Sequence, residues 1–255
     1  MAFSISNMRI KSLIRQFINK CGYGICENYP ILYDEDGLLS RHNHDFVNDA
    51  AFIAAYNRGA KACKEDYGMR WRVHVALWAA SQVKDLPGDF VECGVNRGFL
   101  STAIMTYLPW NSLKRRFFLF DTFCGLDEKQ VSEEEKALGR VESTKAYYAE
   151  CFEEAKKNFA EFKNVVFVRG TIPDTLNTVD IKSVAYLSID MNCVAPEIAA
   201  ASHFWDKLVT GAVVLLDDYA YYGYEPQKKA FDQFAAQKGF SILSLPTGQG
   251  LFIKR

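Results

Sequence analysis

The sequence predicts an α/β protein with a mostly parallel sheet, an N-terminal helical cap and a terminal β-hairpin. From Gly88 onward, short apolar runs alternate with amphipathic helical patterns, which is typical of βαβ units. Four of the first five apolar runs end on acidic residues. With 255 residues, 49% of them hydrophobic and 24% charged, the chain has the length and composition of one sizeable globular domain with a small extension.

The first part of the chain, residues 1–85, is predicted to be a mostly helical cap or oligomerisation region. Basic and apolar residues alternate over residues 1–20 as in an amphipathic helix, which we expect to pack on the domain or on a second subunit rather than on a membrane. A polar, turn-rich segment follows at residues 29–45. Helical periodicity then appears over 45–58 and 69–83.

Residues 86–255 are predicted to form a separate ligand-binding domain built around the sheet. Five apolar runs have the spacing of parallel strands, and two more near the C-terminus form the predicted hairpin. The runs are Phe90–Cys93, Phe117–Phe120, Val165–Val168, Val184–Ile189, Ala212–Leu216, Phe240–Leu243 and Gly250–Ile253.

Charge and cysteine content argue against several classes of partner. A net charge of -1 gives no general attraction to nucleic acid, so we expect no nucleic-acid partner. No apolar run is long enough to span a bilayer, and we expect no membrane contact. The seven cysteines are scattered and lack zinc-knuckle spacing, which favours a reduced, cytoplasmic setting.

A glycine turn follows the first predicted strand, in the stretch Asp89–Gly98. The strand ends on Glu92 and breaks at Gly94, and a helix is predicted to start near Gly98. Ligands of open parallel sheets bind at such junctions. The Glu-x-Gly-x-x-x-Gly spacing is not that of a dinucleotide site, and the carboxylate would repel a pyrophosphate but suits an ammonium group. The turn therefore favours S-adenosylmethionine over a nicotinamide dinucleotide.

Acidic residues at four strand ends are expected to converge on one crevice, where they would repel one another unless cations bind. Asp121, on the second strand, is placed to accept hydrogen bonds from a ribose, with capping of the following turn as the alternative. Asp190, Asp217 and Asp218 have no histidine or thiolate pair nearby. They favour a hard, oxygen-liganded cation such as Mg²⁺, Mn²⁺ or Ca²⁺.

Several segments, taken in order, resemble the macrocin and mycinamicin type O-methyltransferases. The resemblance runs from about residue 69 to the C-terminus. It implies a Rossmann-like class I methyltransferase fold, S-adenosylmethionine as cofactor, and dependence on a divalent metal. The matching segments are Gly88–Gly98, Phe120–Leu126, Gly170–Leu176, Leu187–Asp190, Leu216–Tyr219 and Thr247–Gly250.

The resemblance also implies the roles of individual residues. Glu92 and Gly94 would contact the methionine part of the cofactor, and Asp121 would hold the ribose. Thr171 and Ile172 would border the adenine. The other predicted cofactor residues are Asn96, Arg97, Gly98, Ser101 and Thr122, and the implied ligands of Mg²⁺ (or Mn²⁺) are Asp190, Asp217 and Asp218.

The base that removes the acceptor proton is left open by departures from the family pattern. Asn192 stands where relatives often carry a second acid. Asp190 is one candidate base, and His42 or His44 from the cap is another, although that pair is also typical of a polar loop. The tyrosines of residues 219–224 are predicted to wall an acceptor pocket or to pack against the cap.

Together these observations predict a homo-oligomeric, Mg²⁺-dependent O-methyltransferase that acts on a hydroxyl of a sugar or other polyhydroxylated small molecule. One alternative keeps the chemistry with a catechol or phenolic acceptor. Another is a nicotinamide-dependent oxidoreductase. A third is a non-catalytic cofactor-binding module that docks on a partner through its N-terminus.

Overall fold

The computed structural model describes residues 31–255, together with 14, 16–18 and 20. The chain divides into two units, residues 1–34 with 39–44 and residues 35–38 with 45–255. Residues 14, 16–18 and 20 are helical, and the rest of the amphipathic segment predicted over residues 1–20 lies outside the described residues. The domain boundary predicted near residue 85 and the oligomerisation role of the first part stay predictions.

Strands and helices alternate along most of the described chain. The strands are β1 (Tyr33–Glu35), β2 (Leu38–Ser40), β3 (Asp89–Cys93), β4 (Phe117–Asp121), β5 (Val165–Arg169), β6 (Val184–Ile189), β7 (Leu208–Leu216), β8 (Leu243–Ser244) and β9 (Gly250–Ile253). The helices are α1 (Ala50–Cys63), α2 (Arg70–Gln82), α3 (Phe99–Tyr107), α4 (Glu133–Ala137), α5 (Arg140–Tyr147), α6 (Phe152–Asn158), α7 (Val194–Trp205) and α8 (Glu225–Lys238). None of these helices is long and apolar enough to cross a membrane.

The predicted parallel sheet is confirmed, with strand order β5-β4-β3-β6-β7-β9-β8. Strands β3 to β7 pair in parallel, while β9 runs antiparallel to both β7 and β8 and forms the predicted terminal hairpin. Strand β7 starts at Leu208 rather than at the predicted Ala212, because Leu208 pairs with Val184 across a register shift. The strand predicted at Phe240–Leu243 is shorter and lies at Leu243–Ser244.

Helices cover both faces of the sheet, which explains the continuous apolar runs of its central strands. In β4, Phe117 and Leu119 belong to the core shared with α1, α2 and α3. Phe118 and Phe120 belong to the second core, which includes residues of α7 and α8. A strand buried on both faces leaves only its ends free for polar side chains.

The glycine turn after β3 joins three strand ends. Gly94 donates its N–H to Phe120 O at 2.8 Å, and Asp190 donates its N–H to Cys93 O at 2.8 Å. Gly94 has a φ of +92°, and a Cβ added there would lie 1.6 Å from the Asp190 carbonyl oxygen. Only glycine fits this position, since it needs both the left-handed backbone and the missing side chain.

A Gly94→Ala substitution should therefore lower the free energy of unfolding by far more than the strain of a left-handed backbone alone would. We expect a loss of at least about 3 kcal/mol in the free energy of unfolding, because strand ends must separate to admit the methyl group. Gly139 is a matched control, since its φ is +76° and nothing lies within 4 Å of the position that a Cβ would take there. Gly139→Ala should cost about 1 kcal/mol. Equal losses in urea denaturation would contradict the close approach at Gly94.

Candidate active site

A cavity of about 540 Å³ opens where β3, β4, β6 and β7 end. Its volume is in the range of small-molecule sites. The lining residues all belong to the second unit. They come mainly from the loops that follow the strands, from α5 and from the loop before α8, and α2 and the turn between β1 and β2 also contribute. The convergence predicted for the strand-end acids is thus present.

Most of the predicted cofactor and metal residues line this cavity, but three of the cofactor residues do not. Arg97 pairs instead with Glu154, its Nε lying 2.9 Å from the carboxylate. Gly98 immediately precedes α3 and contacts the ring of Phe159, and Ser101 is fully buried in that helix. The predicted residues in the lining are Glu92, Gly94, Asn96, Asp121, Thr122, Thr171, Ile172, Asp190, Asp217 and Asp218.

Asp121 at the end of β4 caps the glycine turn. Its Oδ2 accepts the N–H groups of Val95 at 2.5 Å and Asn96 at 2.7 Å, and its Oδ1 accepts the N–H of Phe123 at 2.6 Å. The Thr122 hydroxyl also lies 3.4 Å from Oδ1, but its one proton makes the shorter bond to Gly125 O at 2.6 Å. A carboxylate offers about four lone-pair sites, so about one is left for a ligand hydroxyl. The capping alternative is therefore present in the structure, and the ribose contact stays a prediction.

Glu92 is a buried carboxyl that lacks a full set of partners. It is 3% exposed, and its Oε2 has no hydrogen-bond partner. Burial, aided by the neighbouring Asp121 carboxylate, raises the pKa of Glu92 to about 8. A ligand ammonium group beside it would favour the ionised form and supply the missing partner.

The three acids predicted as metal ligands follow β6 and β7, which are neighbours in the sheet. Burial and the Asp217 carboxylate raise the pKa of Asp190 well above its usual range. The same two causes raise the pKa of Asp218 to about 7. Asp217 is held by Gln249, whose Nε2 donates to Oδ1 at 2.9 Å. The cluster carries more negative charge than its surroundings favour, and a cation would relieve it.

Arg72 is a site residue that the sequence analysis missed. It lies on α2, is 9% exposed, and pairs through Nη1 with Oδ2 of Asp217. Its Nε lies 2.6 Å from Oδ2 of Asp36, in the turn between β1 and β2. The sequence offered one sign of its role: at helical spacing, Arg72 falls on the same face of α2 as Ala76 and Ala80, which are buried.

Tyrosines and Asn192 form the wall next to the acids. Tyr224 donates its hydroxyl to Asn192 Oδ1 at 2.5 Å, and Asn192 Nδ2 donates to Asp190 Oδ1 at 3.2 Å. The guanidinium of Arg140, from α5, lies 3.4 Å from the centre of the Tyr224 ring. These contacts connect α5 to the acid cluster through one tyrosine.

The tyrosine loop predicted as a pocket wall divides in two. Tyr221 and Tyr224 line the cavity. Tyr219 is 4% exposed and hydrogen bonds to Asp232, whereas Tyr222 is 93% exposed. Two of the four tyrosines therefore line the cavity, and the other two do not.

The two candidate histidines lie in the first unit. The ring of His44 packs edge-on against Tyr33, with 5.7 Å between centroids, and the N–H of His42 donates to Ser40 Oγ. A role for either as a base stays a prediction.

The acid cluster fits a divalent cation by its chemistry. Its donors are hard carboxylate oxygens in a buried place with surplus negative charge. Among the residues that the structure describes, however, no three His, Cys, Asp or Glu side chains are grouped closely enough to hold a metal ion. In this arrangement the Asp217 carboxylate is engaged by Arg72 and Gln249 instead.

The chain is similar to known O-methyltransferases. A family model described as Macrocin-O-methyltransferase (TylF) matches residues 71–242. Demethyldecarbamoylnovobiocin O-methyltransferase of Streptomyces niveus is 28% identical over 162 residues, 60% of this chain, and the match spans only 60% of that relative.

Two solved structures share the fold. The O-methyltransferase NovP has a TM-score of 0.67 at 18% identity, covering 83% of this chain and 99% of that chain. CalS11, a calicheamicin methyltransferase, has a TM-score of 0.54 at 18% identity, covering 89% and 99%. The Rossmann-like methyltransferase fold predicted from the sequence is thereby confirmed.

Replacement of Glu92 by glutamine should stabilise the empty protein more as the pH rises. The folded-state pKa of about 8 exceeds that of an unfolded-state glutamate, so ionisation of Glu92 costs stability as pH climbs from about 4.5 to 8. We expect Glu92→Gln to gain at least about 1 kcal/mol relative to wild type between pH 5 and pH 8. Urea denaturation at several pH values measures this.

The exposed Glu134 offers a control for this experiment. A Glu134→Gln variant should keep a constant difference from wild type across the same pH range. A constant difference for Glu92→Gln as well would contradict the burial of an ionisable, under-partnered carboxyl.

Proposed function

The chain belongs to the macrocin O-methyltransferase family, and on that basis we propose that it transfers a methyl group from S-adenosylmethionine to a hydroxyl of a sugar or other polyhydroxylated metabolite. The observation that carries the proposal is that one cavity contains both an under-partnered buried carboxyl, Glu92, and a cluster of three acids. Two neighbouring subsites of this kind suit a cationic cofactor beside a hydroxylated acceptor.

The cofactor half of the cavity is formed by the turn after β3 and by the ends of β4 and β5. Glu92 receives the ammonium group of the methionine part. Asp121 uses its remaining lone pair for a ribose hydroxyl, and its other bonds hold the turn rigid. Thr171 and Ile172 border the adenine, with the Ile172 carbonyl already engaged by the side chain of Gln130.

The acceptor half lies against the acid cluster and the tyrosines. Rings of Tyr221 and Tyr224 provide apolar faces for a sugar or aglycone, while Asn192 offers an amide beside Asp190. The relatives' names support such an acceptor, because one acts on a demethyldecarbamoylnovobiocin and another is a calicheamicin methyltransferase.

The reaction is an in-line displacement in which the methyl carbon leaves the sulfonium and bonds to the acceptor oxygen. The hydroxyl proton passes to a carboxylate, for which we assign Asp190. The chain positions both partners, and positioning supplies much of the rate. Mg²⁺ (or Mn²⁺), held by Asp190, Asp217 and Asp218, would supply Lewis acidity that lowers the pKa of the acceptor hydroxyl.

A reduced, cytoplasmic setting is part of the proposal. The five cysteines of the described residues are all free thiols, namely Cys63, Cys93, Cys124, Cys151 and Cys193. Thiols of this kind persist in reducing compartments.

The double substitution Asp217→Asn with Asp218→Asn tests the proposed function. We expect methyl transfer to hydroxylated acceptors to fall at least about a hundredfold, because the amides no longer hold a divalent cation or the charge that orients the acceptor. A radiolabelled methyl-transfer screen over glycosides and polyols measures the rate, and chelation of metal in the wild type should have the same effect.

Asp180→Asn is the matched control, since Asp180 is exposed and pairs with Lys182 outside the cavity. It should keep the wild-type rate. Calorimetry should find S-adenosylmethionine binding retained in the double variant, which separates the acceptor half from the cofactor half. Wild-type turnover by the double variant would refute the role of these acids.

A further inference from the structure

A positively charged side chain, that of Arg72, lies within the cluster formed by Asp190, Asp217 and Asp218. Among the described residues that line the cavity, Arg72 is the only lysine or arginine, and it faces Asp36, Asp190, Asp217 and Asp218. Although burial disfavours its charged form, Asp217 and Asp218 raise the pKa of Arg72 above the usual range. The guanidinium is therefore a fixed positive charge within the cluster.

Arg72 contacts two sides of the cavity at once. One nitrogen, Nη1, pairs with Asp217 and lies 3.9 Å from Oδ1 of Asp218. Another nitrogen, Nε, lies 2.6 Å from Asp36. The guanidinium carbon is 4.4 Å from the centre of the Tyr221 ring, whose hydroxyl donates to Asp36 Oδ1 at 3.1 Å.

The Asp36 side of this arrangement is independent of the metal-ligand candidates. If Arg72 gives up Asp217, it keeps a carboxylate partner in Asp36 and an aromatic face in Tyr221, so its charge is not left unpaired. A second cation that binds Asp217 and Asp218 draws on the same carboxylate that Arg72 now pairs. Gln249 already donates to Oδ1 of Asp217, so Arg72 and a divalent ion would compete for the remaining oxygen, Oδ2.

We propose that Arg72 is a displaceable counter-cation, which stabilises the empty acid cluster and competes with a divalent ion for Asp217, with Asp36 as its partner after displacement. The proposal rests on the proposed divalent cation of the site. It makes Arg72 a residue that sets metal affinity, and it assigns to the turn around Asp36 a part in metal loading.

Mn²⁺ binding, followed through the electron paramagnetic resonance signal of the free ion, tests this without any turnover measurement. We expect Arg72→Gln to bind Mn²⁺ about tenfold more tightly than wild type, because a competing positive charge a few ångströms away is gone. Asp36→Asn should bind Mn²⁺ more weakly, since Arg72 then has no carboxylate to move to. An unchanged or lower affinity in Arg72→Gln overturns the proposal.

A double-mutant cycle separates displacement from simple charge effects. Loss of the Asp36 charge weakens cation binding through space in any background, whereas loss of a resting partner matters only when Arg72 is present. The Asp36→Asn penalty should therefore be at least about threefold smaller in the Arg72→Gln background. Equal penalties in both backgrounds overturn the assignment of Asp36.

Two further variants guard the interpretation. Arg116→Gln removes the distant Arg116–Asp89 pair and should leave Mn²⁺ affinity unchanged. If Arg72→Gln does not fold by circular dichroism, Arg72→Lys is used, because lysine lacks the planar fork that spans both carboxylates and should also tighten Mn²⁺ binding.

The same samples are titrated with S-adenosylmethionine. Absence of cofactor binding in wild type would count against the proposed function, while the Mn²⁺ data still decide the role of Arg72. Absence of Mn²⁺ binding in both wild type and Arg72→Gln would overturn the Arg72 proposal, whatever the cofactor result.

Discussion

The burial of several carboxylates at one sheet edge is the constraint on which the rest of this structure depends. Glu92 and Asp218 are each less than a tenth exposed, and Asp190 lines the cavity wall. Burial raises the pKa values of all three. Like charges in a poorly solvated place destabilise a fold unless cations or protons accompany them. Arg72 is one such cation within the chain, and the proposed cofactor and divalent ion would supply others.

The sheet enforces this crowding. Parallel pairing brings the carboxyl ends of β3, β4, β6 and β7 to the same edge, and apolar cores on both faces leave the ends as the place where polar side chains emerge. Gly94 tightens the arrangement, because the Asp190 carbonyl occupies the space of its missing side chain. Crowding these buried acids therefore lowers the stability of the fold, as is typical of functional sites.

The sequence contained enough information for the sheet and for most of the cavity lining. Unbroken apolar runs followed by acids are local signals, and they predicted the ends of β3, β4, β6 and β7. The contacts of Asp121 were harder to predict from the sequence, because its bonds to backbone N–H groups of the glycine turn depend on how β3 and β4 lie side by side. A sequence pattern cannot distinguish such a cap from a ligand contact.

Arg72 could not be predicted because its partners are distant in the chain. Asp217 lies on a strand end far along the sequence, and Asp36 lies in a turn between two short strands where the sequence indicated only polar turns. An arginine within a predicted helix is most simply a solvated residue, and only the packing of α2 against β7 and α3 turns it inward. Long-range ion pairs of this kind follow from the fold rather than from any local pattern.

The central claim, that this strand-end cavity binds S-adenosylmethionine through Glu92, is tested most directly by calorimetric titration in buffers of different ionisation enthalpy at pH 7. We expect micromolar binding with release of about one proton, because the ammonium group converts a protonated Glu92 to its ionised form. In Glu92→Gln the affinity and the proton release should both fall. Failure of the wild type to bind, or equal binding and proton release by Glu92→Gln, would contradict it.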